Sequence, residues 1–120
     1  MDTHITGTGL TVTPQMRAYF DKHTRKIEKL VHDKAARLDV EFIHLSERQT
    51  DNEFKAELML KAPGTDLRSE ASAVSLYAAI DEAIEQLLVE LRKKKGKKLR
   101  LFRLEGLKFK NLLRFGRWKA

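Results

Sequence analysis

The sequence predicts an α+β fold in the order β-α-β-β-β-α, a two-layer sandwich in which two helices cover one face of a four-stranded sheet. Apolar residues recur at helical spacing in two segments, near residues 14–32 and 73–95. Between them, residues 38–48 and 53–61 alternate apolar and polar side chains, as half-buried strands do. Polar and glycine-containing turns separate these segments.

The first half of the chain supplies a short strand around His4–Thr6 and then a helix. Thr13 is a suitable N-cap, because its hydroxyl can accept a bond from an unpaired helical N–H. Pro14 suits the first helical position, where no N–H is needed. The helix is predicted to run to about His32. Its apolar stripe consists of Met16, Phe20, Ile27, Leu30 and Val31.

The strands that follow differ in regularity. In residues 38–48, Ile43 interrupts the alternation, which predicts either a bulge or a partly covered second face. Residues 53–61 alternate without interruption, Pro63-Gly64 forms a turn, and residues 66–72 give a weaker strand. The inward positions of the third strand are predicted to be Phe54, Ala56, Leu58 and Leu60.

The second helix is predicted to start at Ala73, capped by Ser72, and to end near Lys95. A right-handed crossover through the first helix would make strands one and two parallel, and the remaining strands would form an antiparallel meander. The other sheet face would then meet water. The helix's apolar stripe is Leu76, Tyr77, Ile80, Ala83, Ile84, Leu87, Leu88 and Leu91.

Charge is divided unevenly along the chain. Its 24 Lys and Arg and 17 Asp and Glu give a net charge of +7. Residues 1–91 carry −5, whereas residues 92–120 carry 13 cations and one acid, or +12. We therefore predict a domain over residues 1–95 and a basic, aromatic tail over residues 96–120. Such a tail is attracted to polyanions.

Several classes of protein are not supported by the sequence. There is no cysteine, which fits a reducing cytosol, and no apolar run is long enough to span a membrane. No secretory signal opens the chain. His4 and His44 could be neighbours on adjacent strands, but nothing completes a metal site, so no metal or cofactor is expected. Phosphate-loop and nucleophile motifs are missing, which argues against an enzyme or a small-molecule substrate.

Asp81, Glu82 and Glu85 are best explained as a solvated helix face, although Asp81 could instead bond to a neighbouring turn.

Two cationic clusters are the candidate nucleic-acid contacts. The cations of the first cluster follow helical spacing in the first helix, and the alternative interpretation is an ordinary solvated helix face. The second cluster places six cations within residues 92–98, which repel one another unless an anionic partner binds. We predict that Arg100 and Arg103 extend this second cluster. The members are Lys22, Arg25, Lys26 and Lys29, and then Arg92, Lys93, Lys94, Lys95, Lys97 and Lys98.

The exposed sheet face is predicted to be charged and free of aromatic residues, so RNA would be held by helices and tail through phosphates. Its outward residues are Asp39, Glu41, Lys55, Glu57, Lys61, Arg68 and Glu70.

Five segments in this order resemble the ribosome hibernation-promoting factor family, also called the sigma-54 modulation or ribosome-associated inhibitor family. The resemblance covers roughly residues 2–95. The segments are ITG at 5–7, VTPQMRAYF at 12–20, KIEKL at 26–30, LYAAID at 76–81 and LRKKK at 91–95.

The resemblance implies a fold similar to double-stranded-RNA-binding domains and a site in the mRNA–tRNA channel of the small ribosomal subunit, on 16S rRNA. The resemblance implies RNA contacts at Lys26, Lys29, Arg92, Lys93 and Lys95. The other candidate RNA contacts are inferred from helical geometry and charge. Tyr77 and Asp81 also match family positions: we expect Tyr77 to pack in the core and leave the role of Asp81 open.

Two features depart from the family pattern. Family members carry cations in the middle of the second helix, where this chain has Glu85, Gln86 and Glu90. Residues 96–120 are too few for the second, dimer-forming domain of the long members, so a short form with an unusual basic tail is expected. The oligomeric state stays open. The alternatives for the tail are a membrane-surface anchor or a protein-interaction segment.

Overall fold

The structure is a computed structural model that describes residues 1–31, 35–45 and 53–105, with side chains omitted for Thr65 and residues 95–105. The order of elements is β-α-β-β-β-α, so the predicted α+β class is confirmed. The elements are β1 (Asp2–Thr8), α1 (Pro14–Leu30), β2 (Arg37–His44), β3 (Phe54–Ala62), β4 (Thr65–Ala73) and α2 (Leu76–Glu105).

The four strands form one sheet in the order β1-β2-β3-β4. β1 pairs with β2 in parallel, with Ile5 opposite Val40, as the predicted crossover requires. The other two pairings are antiparallel and place Val40 opposite Leu58 and Leu58 opposite Ser69. The α2 helix packs on β3 and β4, and α1 packs against α2. One face of the sheet is therefore covered by helices.

The core lies between that sheet face and the two helices. Alternate residues of β2 and β3 are buried, as their sequence pattern predicts. Phe20 of α1 meets Phe42 of β2 edge to face, with ring centroids 5.7 Å apart. Ser69 is buried and donates a hydrogen bond from its hydroxyl to the carbonyl oxygen of Ala83 at 2.8 Å, which ties β4 to α2.

The helix starts show where local chemistry is decisive and where it is not. Thr13 caps α1 as predicted, since its Oγ1 accepts a bond from the Met16 N–H at 3.2 Å. The predicted start of α2 at Ala73 with Ser72 as cap is wrong. β4 continues through Ala73, which pairs with Phe54, and Ser75 caps the helix instead. Ser72 and Ala73 therefore pair in the sheet, although their sequence is also compatible with the start of a helix.

Other boundaries also shift. Pairing of β2 with β3 stays regular through Ile43 and His44, so the predicted bulge is wrong, and Ile43 is half-buried instead. Residues 46–48 of the predicted strand, and His32, lie outside the described residues.

The α2 backbone continues ten residues past the predicted end, because lysine, arginine and leucine favour helix and one glycine costs only about 1 kcal/mol. It crosses the 95/96 boundary, and the division into domain and tail stays a prediction.

The open sheet face is charged, as the sequence pattern predicts, and its charges form a network of ion pairs. Lys55 Nζ lies 3.1 Å from Glu57 Oε1 and 3.3 Å from Glu70 Oε2. Arg68 also approaches Glu57, at 3.6 Å. These carboxylates raise the pKa of Lys55, and the hydrogen bond from Lys55 lowers the pKa of Glu70. Most charged side chains on this face are therefore paired with one another. A depression of about 480 Å³ also crosses the face.

We predict that Phe20→Ala lowers the free energy of unfolding by about 3–5 kcal/mol, because it leaves a cavity beneath the helices. Phe20 is fully buried, so the loss would be a large share of the roughly 5–15 kcal/mol that holds a small domain folded. Urea unfolding measures it. Val74→Ala is the control, since Val74 is 68% exposed and its truncation should change stability by less than about 0.5 kcal/mol. Equal losses in both variants would contradict the assigned core.

We further predict that Lys55→Gln moves the Glu70 titration upward, toward the ordinary pKa of 4.5. Because the folded-state pKa of Glu70 is lowered, its pairing stabilises the fold above that ordinary value, and the contribution is lost as pH falls through the folded-state pKa. Carboxyl-carbon NMR measures the titration directly. Lys61→Gln is the control, since Lys61 pairs with Asp39. A Glu70 titration that is identical in both variants would rule out the pairing with Lys55.

Candidate nucleic-acid interface

The first predicted cationic cluster lies on the solvent side of α1. Lys22, Arg25, Lys26 and Lys29 are all exposed, and together they form what we call the helix-one strip. The residues that alternate with them, Phe20, Thr24 and Ile27, are buried against the sheet. Helical geometry therefore separates the cations from the core, as the sequence predicts. That they contact RNA stays a prediction.

The second cluster begins where α2 leaves the core. Leu91 is buried, whereas Arg92 and Lys93 are exposed and Lys94 is half-buried; we call these three cations the helix-two cluster. Lys93 Nζ lies 3.5 Å from the exposed Glu90, an ion pair that contributes little in water. The side chains of the other predicted contacts lie outside the described residues, although their backbone is helical. Those residues are Lys95, Lys97, Lys98, Arg100 and Arg103.

The two helices run side by side in the same direction. Tyr19 contacts Tyr77 and Asp81, and one to two turns later Lys26 shares a groove with Ile84 and Glu85. At 1.5 Å per residue, the end of the helix-one strip lies level with roughly residue 88, about 6 Å before the helix-two cluster. The parallel packing thus brings both sets of cations to one end of the domain.

A contact that the sequence analysis missed links the two helices. The Tyr19 hydroxyl donates to both carboxylate oxygens of Asp81, at 2.8 and 2.9 Å. This hydrogen bond raises the pKa of Tyr19 above its ordinary value of 10.0. Asp81 therefore bonds across the helix pair rather than to a neighbouring turn. Both residues lie in segments that resemble the family, Tyr19 in VTPQMRAYF and Asp81 in LYAAID. Because 62 residues separate them, the sequence did not indicate that they meet, and only the fold brings them together.

Three rings line up beside this contact, and we call them the aromatic row: Tyr77, Tyr19 and His23. Tyr77 meets Tyr19 edge to face at 4.7 Å, and His23 lies 4.3 Å from Tyr19 on the helix-one side. The prediction that Tyr77 packs in the core is wrong, because its side chain is 39% exposed. It lies at the border of the helix–helix contact, where α1 covers only part of its ring.

Next to the aromatic row is a groove of about 240 Å³ between the helices. Its floor is Ile84, which is buried, and its rim carries both donors and acceptors. His23 and Lys26 lie on the α1 side, and Asp81 and Glu85 lie on the α2 side. We call this the helix groove.

Residues 81–90 of α2 are acidic on the solvent side. Asp81, Glu82, Glu85 and Glu90 are exposed, in agreement with the predicted solvated helix face. Positive charge on α2 is thus restricted to its far end, as the departure from the family pattern predicts. This leaves the helix with opposite charges along its length, which would orient it in the field of a polyanion.

The structure offers no support for a metal site. His4 lies opposite Asp39 in the β1–β2 pairing, whereas His44 is five residues further along β2, so the prediction that they could be neighbours is wrong. His4 instead contacts Asp2 at 3.0 Å, and His44 stacks on Phe54. Within residues 1–31, 35–45 and 53–105, no group of three or more potential ligands could hold an ion. In the same ranges no helix is apolar and long enough to cross a membrane.

Solved structures share this architecture. The N-terminal domain of Protein Y from Thermus thermophilus aligns with a TM-score of 0.65 at 22% identity, over 78% of this chain and 98% of that domain. A ribosomal subunit interface protein from Coxiella burnetii aligns with a TM-score of 0.64 at 20% identity, over 80% of this chain and 99% of that one. At these identities the likeness establishes the fold alone.

Sequence comparison extends the likeness. The ribosome hibernation promotion factor of Bacillus subtilis is 32% identical over 107 residues, or 88% of this chain and 54% of that protein. The factor of the same name from Picosynechococcus is 29% identical over 93 residues, or 78% of this chain and 48% of that protein. The chain thus spans about half the length of these relatives. A family profile described as Sigma 54 modulation protein / S30EA ribosomal protein matches residues 3–99. Since that match covers most of the chain, and the fold agrees with it, this protein belongs to the Sigma 54 modulation protein / S30EA ribosomal protein family.

Proposed function

We propose that this protein is a hibernation factor that binds the small ribosomal subunit, occupies the mRNA–tRNA channel and thereby blocks translation. In this proposal, the cations of the helix-one strip and of the helix-two cluster bind phosphates of 16S rRNA. The observation that carries this proposal is the parallel packing of α1 and α2, which gathers exposed cations from two distant segments at one end. Family membership and the names of the relatives support it.

The charge distribution favours a defined orientation on RNA. Cations at one end of the helical layer gain from nearby phosphates, because each contact releases counterions. The acidic residues of α2 and the self-paired open sheet face gain nothing from phosphate, so neither would supply phosphate contacts. A footprint at the shared end of the helices satisfies both conditions.

Inhibition of this kind is steric, and it needs no catalytic group or cofactor. A rigid domain that fills the channel excludes other ligands by occupying their volume. The protein would act in the cytoplasm, where ribosomes work. The basic residues from 96 onward would extend the contact along RNA. Because the chain spans about half of its relatives, pairing of ribosomes is not part of this proposal.

We predict that the double variant Lys26→Gln/Lys29→Gln binds purified small subunits at least tenfold more weakly at low salt than the unchanged protein. The plot of log affinity against log salt should also become shallower by about 1.4–1.8, since each lost phosphate contact removes roughly 0.7–0.9. Co-sedimentation across a salt series measures both quantities.

The matched control is Arg37→Gln/Lys61→Gln, which removes the same charge from the sheet side of the domain. Its salt dependence should stay close to that of the unchanged protein. Equal slopes in the two double variants would contradict the proposed footprint. Failure of small subunits to capture the unchanged protein at low salt would overturn the function itself, and capture by anionic vesicles alone would favour the membrane-surface alternative.

A further inference from the structure

The helix groove is unsuited to a phosphate, although Lys26 lines one side of it. Its α2 rim carries the carboxylates of Asp81 and Glu85, which repel phosphate oxygens. Glu85 is exposed, and among the described residues no ion pair or hydrogen bond occupies its carboxylate. The groove therefore offers an acceptor to a ligand that brings hydrogen-bond donors.

The size and walls of the groove favour a single planar ring. Its 240 Å³ is below the roughly 300–1,000 Å³ of pockets that enclose drug-sized ligands. His23 forms part of one wall and Ile84 the floor, and unpaired RNA bases stack on aromatic rings, including histidine. A carboxylate accepts a hydrogen bond from an exocyclic amino group, as Glu and Asp do from the N4 of cytosine.

The groove is also held open by its surroundings. The Tyr19–Asp81 hydrogen bonds fix the spacing of α1 and α2 on one side. Tyr19 in turn contacts His23 at 4.3 Å, which limits the movement of the histidine ring. Asp81 accepts from Tyr19, whereas no donor among the described residues occupies the Glu85 carboxylate, so Glu85 is the less occupied acceptor. A ligand would meet a site that needs little reordering, and that lowers the cost of binding.

We propose that the helix groove binds one unpaired RNA base that carries an exocyclic amino group. Glu85 accepts the amino hydrogen, the base stacks against His23 above Ile84, and Lys26 meets the adjacent phosphate. This inference rests on the proposed function for its partner, RNA, and deepens it. Phosphate contacts then supply most of the affinity, while the groove selects which unpaired nucleotide the domain accepts.

The test compares binding of the full chain to two six-nucleotide RNAs, hexacytidine and hexauridine, by fluorescence anisotropy at low salt. The two carry the same phosphates, so attraction to the basic segments cancels in their ratio. They differ in that cytosine presents an amino group where uracil presents an oxygen. The unchanged protein should bind hexacytidine about fivefold more tightly, which is the low end of what one good base contact contributes.

Two variants isolate the groove. Glu85→Gln should abolish the preference for hexacytidine, because the carboxamide can donate to the uracil oxygen as well as accept from the cytosine amino group, whereas the carboxylate can only accept. Glu82→Gln removes the same charge from an exposed position that does not line the groove, and it should retain the preference. Circular dichroism melting checks that both variants stay folded, as their exposure leads us to expect.

The outcomes separate the inference from the proposed function. Equal binding of the two RNAs, a preference for hexauridine, or a preference that survives Glu85→Gln would overturn the base site, even if small subunits still capture the protein. Conversely, a preference lost only in Glu85→Gln would support the base site even if small subunits failed to bind, and the function would then have to be sought on another RNA.

Discussion

The architecture depends on the burial of one sheet face. Alternate residues of β2 and β3 present a continuous apolar surface to one side only, and most of their neighbours on the other side are charged. Both helices must therefore pack on the same side, where apolar burial gains about 25 cal/mol per Å². Since they share one face, they also share a border. The helix–helix groove and the gathering of cations are consequences of that constraint.

This arrangement separates the roles of the two surfaces. On the open sheet face, cations pair with nearby carboxylates, as Lys55 does with Glu57 and Glu70. On the helical side, the helix-one strip and the helix-two cluster carry the cations, and residues 81–90 of α2 carry the carboxylates. Opposite charges that pair locally produce little field at a distance, whereas separated charges produce a field that can orient the molecule. The helical side is therefore the surface suited to a polyanion.

The contact of Tyr19 with Asp81 adds a polar element to a border that is otherwise apolar and aromatic. Hydrogen bonds to a charged acceptor are stronger than neutral ones, and they fix distance and angle more closely than apolar packing does. Such a contact limits sliding of one helix along the other. It keeps the helix groove and the two cationic clusters in register, which matters if the surface must match a folded RNA.

The amino-acid sequence by itself determined the class of fold, the parallel pairing of β1 with β2, the Thr13 cap, the alternation of the strands and the exposure of the α1 cations. These features follow from periodicity and from short-range bonding, which neighbouring residues specify. Tertiary structure alone decided the start of α2, the exposure of Tyr77 and the pairing of Tyr19 with Asp81. Each of these depends on residues far apart in the chain. Pairing of β4 with β3 competes with a helix cap at Ser72, and α1 covers only part of the Tyr77 ring, which leaves it at the border of the helix–helix contact. Local pattern cannot rank such competing contacts, because their energies are set only when the helices and strands pack together.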